Sequence, residues 1–219
     1  MKRVRRRGIS AIAGLSAGLA LLLAGCGAPH YTYVATTTAN TYFKVPFGWR
    51  QISTSALVKA ITGGSSSSDG AWTVGYDASR APSAQHVLGT VTTSPFVYAS
   101  VGALNQSTQD LLSYNVLKDF FLPVTSTART TASQDGFPLT GFKLLASANL
   151  TPGQGVHGVS ETYDYTFPGG HVVTFDQIAL TNSADTEVYL LLVHCTATCF
   201  SQNKAQISTV MNSFTVRSS

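Results

Sequence analysis

The chain has 219 residues, with 14 Lys and Arg against 10 Asp and Glu. Five of the basic residues (Lys2, Arg3, Arg5, Arg6 and Arg7) lie in the first seven positions, so without them nine bases face ten acids and the remainder is close to neutral. That balance excludes a nucleic-acid footprint and a polybasic membrane patch.

The basic start leads into an apolar run from Ile9 to Ala24 that stops at small residues and one cysteine, Leu23-Ala24-Gly25-Cys26. This is the layout of a secretory signal. The run falls short of the roughly 20 residues of a membrane-spanning helix and contains Gly14, Ser16 and Gly18. Within it, Gly14-Leu15-Ser16-Ala17-Gly18 matches the nucleophile-elbow spacing, but that motif needs a strand, a turn and a helix with partners. Arg5-Arg6-Arg7 is compatible with twin-arginine as well as general export. The Leu, small, small, Cys order resembles the lipobox of bacterial lipoproteins. The resemblance implies cleavage before Cys26, a diacylglyceryl group on its thiol, and an extracytoplasmic protein held to the membrane by lipid. Two acyl chains hold a protein where one leaks off. The expected organisation is a signal peptide over 1–25, a lipidated cysteine and tether over 26–40, and a single domain over 41–219.

From Gly27 to about Asn40 the chain is small and polar without a hydrophobic period, which reads as a tether; His30, Tyr31 and Tyr33 offer an edge strand instead. Tyr42 to Trp49 is extended and aromatic, broken by Pro46 and Gly48, hence strand, tight turn, strand. Ser53 or Thr54 caps a short helix over 55–61 carrying Leu57, Val58 and Ile61 on one face. Gly63 to Gly70 is a Gly/Ser loop without a P-loop lysine. Residues 71–76, 86–92 and 95–102 read as strands. Ser107 and Asp110 suggest a capping box for one helix with Leu111, Leu112, Tyr114, Val116, Leu117, Phe120 and Phe121, ended by Pro123. Asp135-Gly136-Phe137-Pro138 is a turn, and 141–148 opens the second half.

Val159, Glu161, Tyr163, Tyr165 and Phe167 alternate with Ser160, Thr162, Asp164 and Thr166, the pattern of a strand. With Pro168-Gly169-Gly170 as the loop, Tyr165 faces Val173, Tyr163 faces Phe175, Asp164 faces Thr174 and Thr162 faces Asp176, which sorts apolar from polar. Residues 187–193 are nearly all apolar, which predicts a central strand covered on both faces. Ser201 is the expected cap of a last helix that buries Ala205, Ile207, Val210 and Met211, and Phe214-Thr215-Val216 closes the chain.

The segment Val45-Pro46-Phe47-Gly48-Trp49 near the start, with an apolar strand, a helix and Met211-Asn212-Ser213-Phe214-Thr215-Val216 at the end, resembles the PsbP-like domains, LpqN-type lipoproteins among them. The resemblance implies an α+β fold, an α/β/α sandwich around a twisted, mainly antiparallel sheet. It also implies a non-enzymatic binding or assembly module with an envelope protein partner. No catalytic, cofactor or metal residue carries over.

Cys195 and Cys199, four apart in an exported chain, read as a disulfide, worth roughly 2 kcal/mol for so short a loop. A metal site on His194, Cys195 and Cys199 lacks a fourth ligand, and a redox pair would more often be C-x-x-C. Asp164 and Asp176 approach as diagonal neighbours, the seed of an acid-base pair, or line a solvated polar face. His86 and His171 have no partner nearby in sequence, and His157 and Glu161 stand about 13 Å apart at strand rise. Trp72, Tyr76 and Tyr98 fill the core or line a small cleft. An envelope hydrolase and a small-ligand-binding lipoprotein are the alternatives to the binding module.

Overall fold

A computed structural model describes residues 30–37, 40–63, 72–88 and 90–217. The lipobox, most of the tether and the Gly/Ser run after Gly63 lie outside the described residues. The described elements are β1 (Tyr31–Thr36), β2 (Thr41–Pro46), β3 (Arg50–Ile52), α1 (Thr54–Thr62), β4 (Trp72–Asp77), β5 (Phe96–Ala103), α2 (Gln106–Leu111), α3 (Tyr114–Lys118), α4 (Ser126–Gln134), β6 (Thr140–Gly153), β7 (Val156–Phe167), β8 (His171–Thr181), β9 (Glu187–Thr196), α5 (Ala197–Gln202), α6 (Lys204–Asn212) and β10 (Thr215–Val216). No described helix is long and apolar enough to cross a membrane.

Seven strands form an antiparallel sheet in the order β3-β4-β5-β9-β8-β7-β6. The fold is therefore the mixed helix-and-strand class expected, with an antiparallel sheet at its centre. β9 occupies the middle, and its alternating residues divide between two cores. Val188, Leu190 and Leu192 join Leu57 of α1, Leu117 of α3, Phe96, Tyr163 and Phe175 on one face. Leu191 and Val193 join Ile207, Val210 and Met211 of α6 on the other. A strand buried on both faces has no position left for a solvated side chain, which is why its sequence is a continuous apolar run.

A second sheet, β1-β2-β10, packs on the α6 face through Val34, Phe43 and Val45. Tyr31–Thr36 is thus a strand paired along the length of β2. The folded chain reaches back past the boundary expected at residue 41, and of the two readings of this segment the edge strand holds. The turn after Pro46 also holds, with Gly48 at φ +101 and the Trp49 amide donating to the Pro46 carbonyl at 3.2 Å. β2 and β3 belong to different sheets. Ser53 caps α1 and Leu57 is its one buried residue.

The β7–β8 hairpin has the register read from the sequence at all four pairs, closed by Phe167 against His171. At the far end of β7, Gly158 lies where a Cβ would meet the Ala179 carbonyl oxygen at 2.1 Å and the Leu180 Cα at 2.8 Å. Beyond β7, the long edge strand β6 is mostly exposed and pairs through three register shifts.

Four local expectations are corrected. Residues 86–92 are not a strand: the chain makes a tight 3-10 turn over Ala84–Val87. The Asp77 carboxylate winds it by accepting from the Ser79 and Ser83 amides at 2.8 and 3.0 Å. Such local bonds compete with a sheet ladder. The single helix expected after Ser107 is two: Asn105 caps α2, the chain extends at Leu112, and Ser113 caps α3, which ends at Lys118 before reaching Pro123. α4 has no counterpart among the expected elements. In place of a helix capped by Ser201, Thr196 caps α5 and α6 follows from Asn203, with Ile207, Val210 and Met211 buried and Ala205 exposed.

Because backbone atoms obstruct a side chain at residue 158, Gly158→Ala is expected to lose more than about 2 kcal/mol of unfolding free energy. Ser160→Ala, half-buried on the same strand, should stay within about 0.5 kcal/mol. Urea denaturation of both variants checks this.

Candidate functional site

The α6 face of the large sheet is covered over β4, β5 and β9 but thinly covered over β6, β7 and β8. There Ser160, Thr162, Asp164 and Thr166 of β7 are half-buried. Asp164 and Asp176 do lie on one face, each opposite a threonine: the Thr174 hydroxyl donates to Asp164 at 2.6 Å and that of Thr162 to Asp176 at 3.4 Å. The chequered pairing keeps the like charges diagonal rather than opposed. Burial pushes the Asp176 carboxyl up to about 6, against the pull of the Thr162 bond. Beyond this patch the sheet ends in a cleft of about 270 Å³ lined by Leu150, Pro152, Ile178, Leu180 and Phe214. A larger concavity of about 850 Å³, of mixed polar and apolar lining, opens beside Arg50, Ile52, Ala56, Lys59, Ser83 and Gln85.

The other face holds a fully buried carboxylate that sequence reasoning placed inward without giving it a partner. Glu161 Oε1 accepts from the Ser147 hydroxyl at 2.8 Å and lies 3.7 Å from Lys118 Nζ. Its Oε2 has no hydrogen-bond partner. Burial raises its pKa, and Ser147 and Lys118 oppose that rise. Beside it, Tyr163 donates to Gln177 Oε1 at 3.2 Å, while Gln177 Nε2 donates to the carbonyls of Leu117 and Lys118 at 3.2 and 3.1 Å. These bonds fasten the end of α3 to the sheet, where a buried amide must find partners.

His86 has a partner after all: Nδ1 lies 2.6 Å from Asp77 Oδ2, the carboxylate that also winds the turn. An Asp-His pair also forms part of the hydrolytic triads, but among the described residues no hydroxyl is hydrogen-bonded to the other ring nitrogen. The Ser79 hydroxyl in the same turn is buried without a partner. His157 turns to Asp185 at 3.4 Å, away from Glu161.

Cys195 and Cys199 are joined by a disulfide, with Cα atoms 5.9 Å apart, at the junction of β9 and α5. His194 points to the other side of the strand. Its ring stacks on Phe175 at 5.0 Å and lies 5.7 Å from Phe96, and neither nitrogen has a partner. Burial pushes its pKa down to about 3, so it is a neutral ring filling the core. Among the described residues no group of three or more His, Cys, Asp and Glu is placed to hold a metal. Tyr76 and Tyr98 are buried and Trp72 packs against the core.

No protein-family model and no curated protein sequence matches the chain. Solved structures do. The cyanobacterial PsbP of Synechocystis sp. PCC 6803 superposes with a TM-score of 0.53 at 13% identity, over 88% of this chain and 96% of that one. LpqN of Mycobacterium tuberculosis, described as involved in cell envelope biogenesis, matches at 14% identity and TM-score 0.45 over 86% and 91%. The Ran-binding protein Mog1p of Saccharomyces cerevisiae matches at 10% and 0.45 over 85% and 95%. At these identities the likeness is one of fold: the chain has a PsbP-like fold.

His194 and Asp176 give opposite pH dependences. The unfolded chain protonates a histidine near 6.5 and the native one not until about 3, so between these values acid lowers stability by about 1.4 kcal/mol per pH unit. Native Asp176 takes its proton at about 6 rather than 3.8, so acid raises stability across that interval with the same slope. Between pH 4 and 6, Asp176→Asn should therefore become more acid-labile than the parent and His194→Leu less so. Urea unfolding at half-unit steps of pH measures both, and parallel curves for all three proteins would refute the assignment.

Proposed function

We propose that this chain is an extracytoplasmic lipoprotein, anchored to the membrane through a diacylglyceryl group on Cys26, whose domain binds a protein partner at the cell envelope. The observation that carries the reading is covalent order: the lipobox Leu23-Ala24-Gly25-Cys26 stands five residues ahead of the first strand, Tyr31–Thr36. A folded module begins almost at the anchor. The disulfide at Cys195 and Cys199 agrees with an oxidising compartment.

A binding role is supported by how the polar groups are spent. Asp77 holds a turn, Gln177 and Tyr163 hold α3, and each carboxylate of the Asp164 and Asp176 pair takes a threonine hydroxyl. The apolar cleft at Leu150, Ile178 and Phe214 is about 270 Å³, at the lower limit for a small-molecule site. It suits a side chain of a protein partner better than an enclosed ligand.

Intact mass of the mature protein from membranes should show a chain beginning at Cys26 with a diacylglyceryl adduct, absent after Cys26→Ala. In-cell crosslinking of the full chain should capture one protein partner, lost in the Cys26→Ala control. An unmodified mature cysteine would refute the anchor. Equal capture by both forms would refute its role in partner binding.

A further inference from the structure

The small sheet has a second side. Val34, Phe43 and Val45 point inward, so the alternate positions Tyr31, Tyr33 and Ala35 on β1 and Tyr42, Lys44 and Pro46 on β2 point outward. Tyr33 is 74% exposed, Tyr42 36%, and Phe47 in the following turn 64%. Lys44 Nζ lies 4.6 Å from the Tyr31 ring centroid, and the Arg217 guanidinium 5.8 Å from that of Tyr42. The three strands contain no Asp or Glu, and the first carboxylate in the whole sequence is Asp69. Exposed aromatic rings are usually scattered singly; here Tyr31, Tyr33 and Tyr42 share one face with two cations.

We infer that this face is a membrane-interface surface, seated in the headgroup layer of a phospholipid bilayer. The inference rests on the acylation of Cys26 proposed above. Five residues, fully extended, span at most about 18 Å, whereas a domain of this length has a radius of gyration of about 16 Å. A tether that short cannot let the far side of the domain face the bilayer. It holds the start of β1 within that distance of the lipidated cysteine. Tyrosine is suited to that layer, with an apolar ring and a polar tip, and Lys44 and Arg217 can lay their stems along the rings and put their charges among lipid phosphates. Two cations are too few for a polybasic anchor. The acyl chains supply the affinity, and because tethering raises the local concentration of the surface, a weak face is enough to set orientation. The open end of the large sheet would then have a fixed attitude to the membrane.

The test uses the acylated full chain reconstituted in vesicles of phosphatidylethanolamine and phosphatidylglycerol with spin-labelled lipid. Tyr33→Cys and Leu111→Cys are each labelled with a fluorophore. Leu111 is 72% exposed on α2, beside the other face of the large sheet, and the remaining cysteines are lipidated or disulfide-bonded. The label at 33 should be quenched at least about twofold more than the label at 111. Adding Lys44→Glu and Arg217→Glu should shrink that difference. Equal quenching on protein whose mass shows the acyl adduct would overturn the surface and leave the anchor standing. Absence of the adduct would refute the anchor and the surface with it. Shielding at 33 in native envelopes but not in pure lipid would assign the face to a protein and overturn the lipid reading.

Discussion

Everything in this fold is arranged around the burial of β9 on both sides. Between Val188 and Cys195 the strand is buried throughout, so each of those side chains must be apolar or be rendered so. Leu190 and Leu192 serve the helix face, Leu191 and Val193 the α6 face. The polar residue His194 complies by staying neutral between Phe175 and Phe96. At its end the strand is tied by Cys195 to α5, the segment that leads into α6.

From β9 toward β7 one face of the sheet turns polar. β8 and β7 divide their sides: one contributes Tyr163, Tyr165 and Phe175 to the core, the other the alternating threonines and aspartates. Polar groups on the core side are each given a mechanical task. Gln177 holds the end of α3, and Asp119 accepts from the Val124 and Thr125 amides, both at 2.7 Å, ahead of α4. Glu161 and His194 are the exceptions, since one carboxylate oxygen of the first and both ring nitrogens of the second remain unpartnered in the interior.

Long-range packing with a strong pattern was legible in the sequence. The β7–β8 register followed from one requirement, that apolar and polar positions sort to opposite faces, and the central place of β9 from its lack of any polar face. The end motifs that resemble PsbP-like domains pointed to the fold class. What escaped was structure held by local polar bonds. α4, Ser126–Gln134, buries no residue. It is held by the Thr125 cap, by Arg129 bonded to the Val124 carbonyl at 2.6 Å and by the same guanidinium over the Phe142 ring at 4.0 Å. The break between α2 and α3 is the work of Ser113, whose cap outweighed an apolar stripe that ran through it; Leu111 on that stripe is exposed. The polar sites were the least legible part, because Asp77 with His86 and Lys118 with Glu161 meet only once the chain is folded.

The long edge strand β6 has a consequence of its own. The outer edge of a strand 14 residues long is a template on which another chain can add a further strand, the first step to aggregation. Three register shifts interrupt the row, at Thr140 to Lys143, Leu144 to Ala146 and Leu150 to Gly153, and each bulge twists the edge out of line. Lys143 adds a charge that any incoming strand would have to desolvate. Irregularity that looks like imperfect pairing thus acts as a guard on the longest open edge of the sheet.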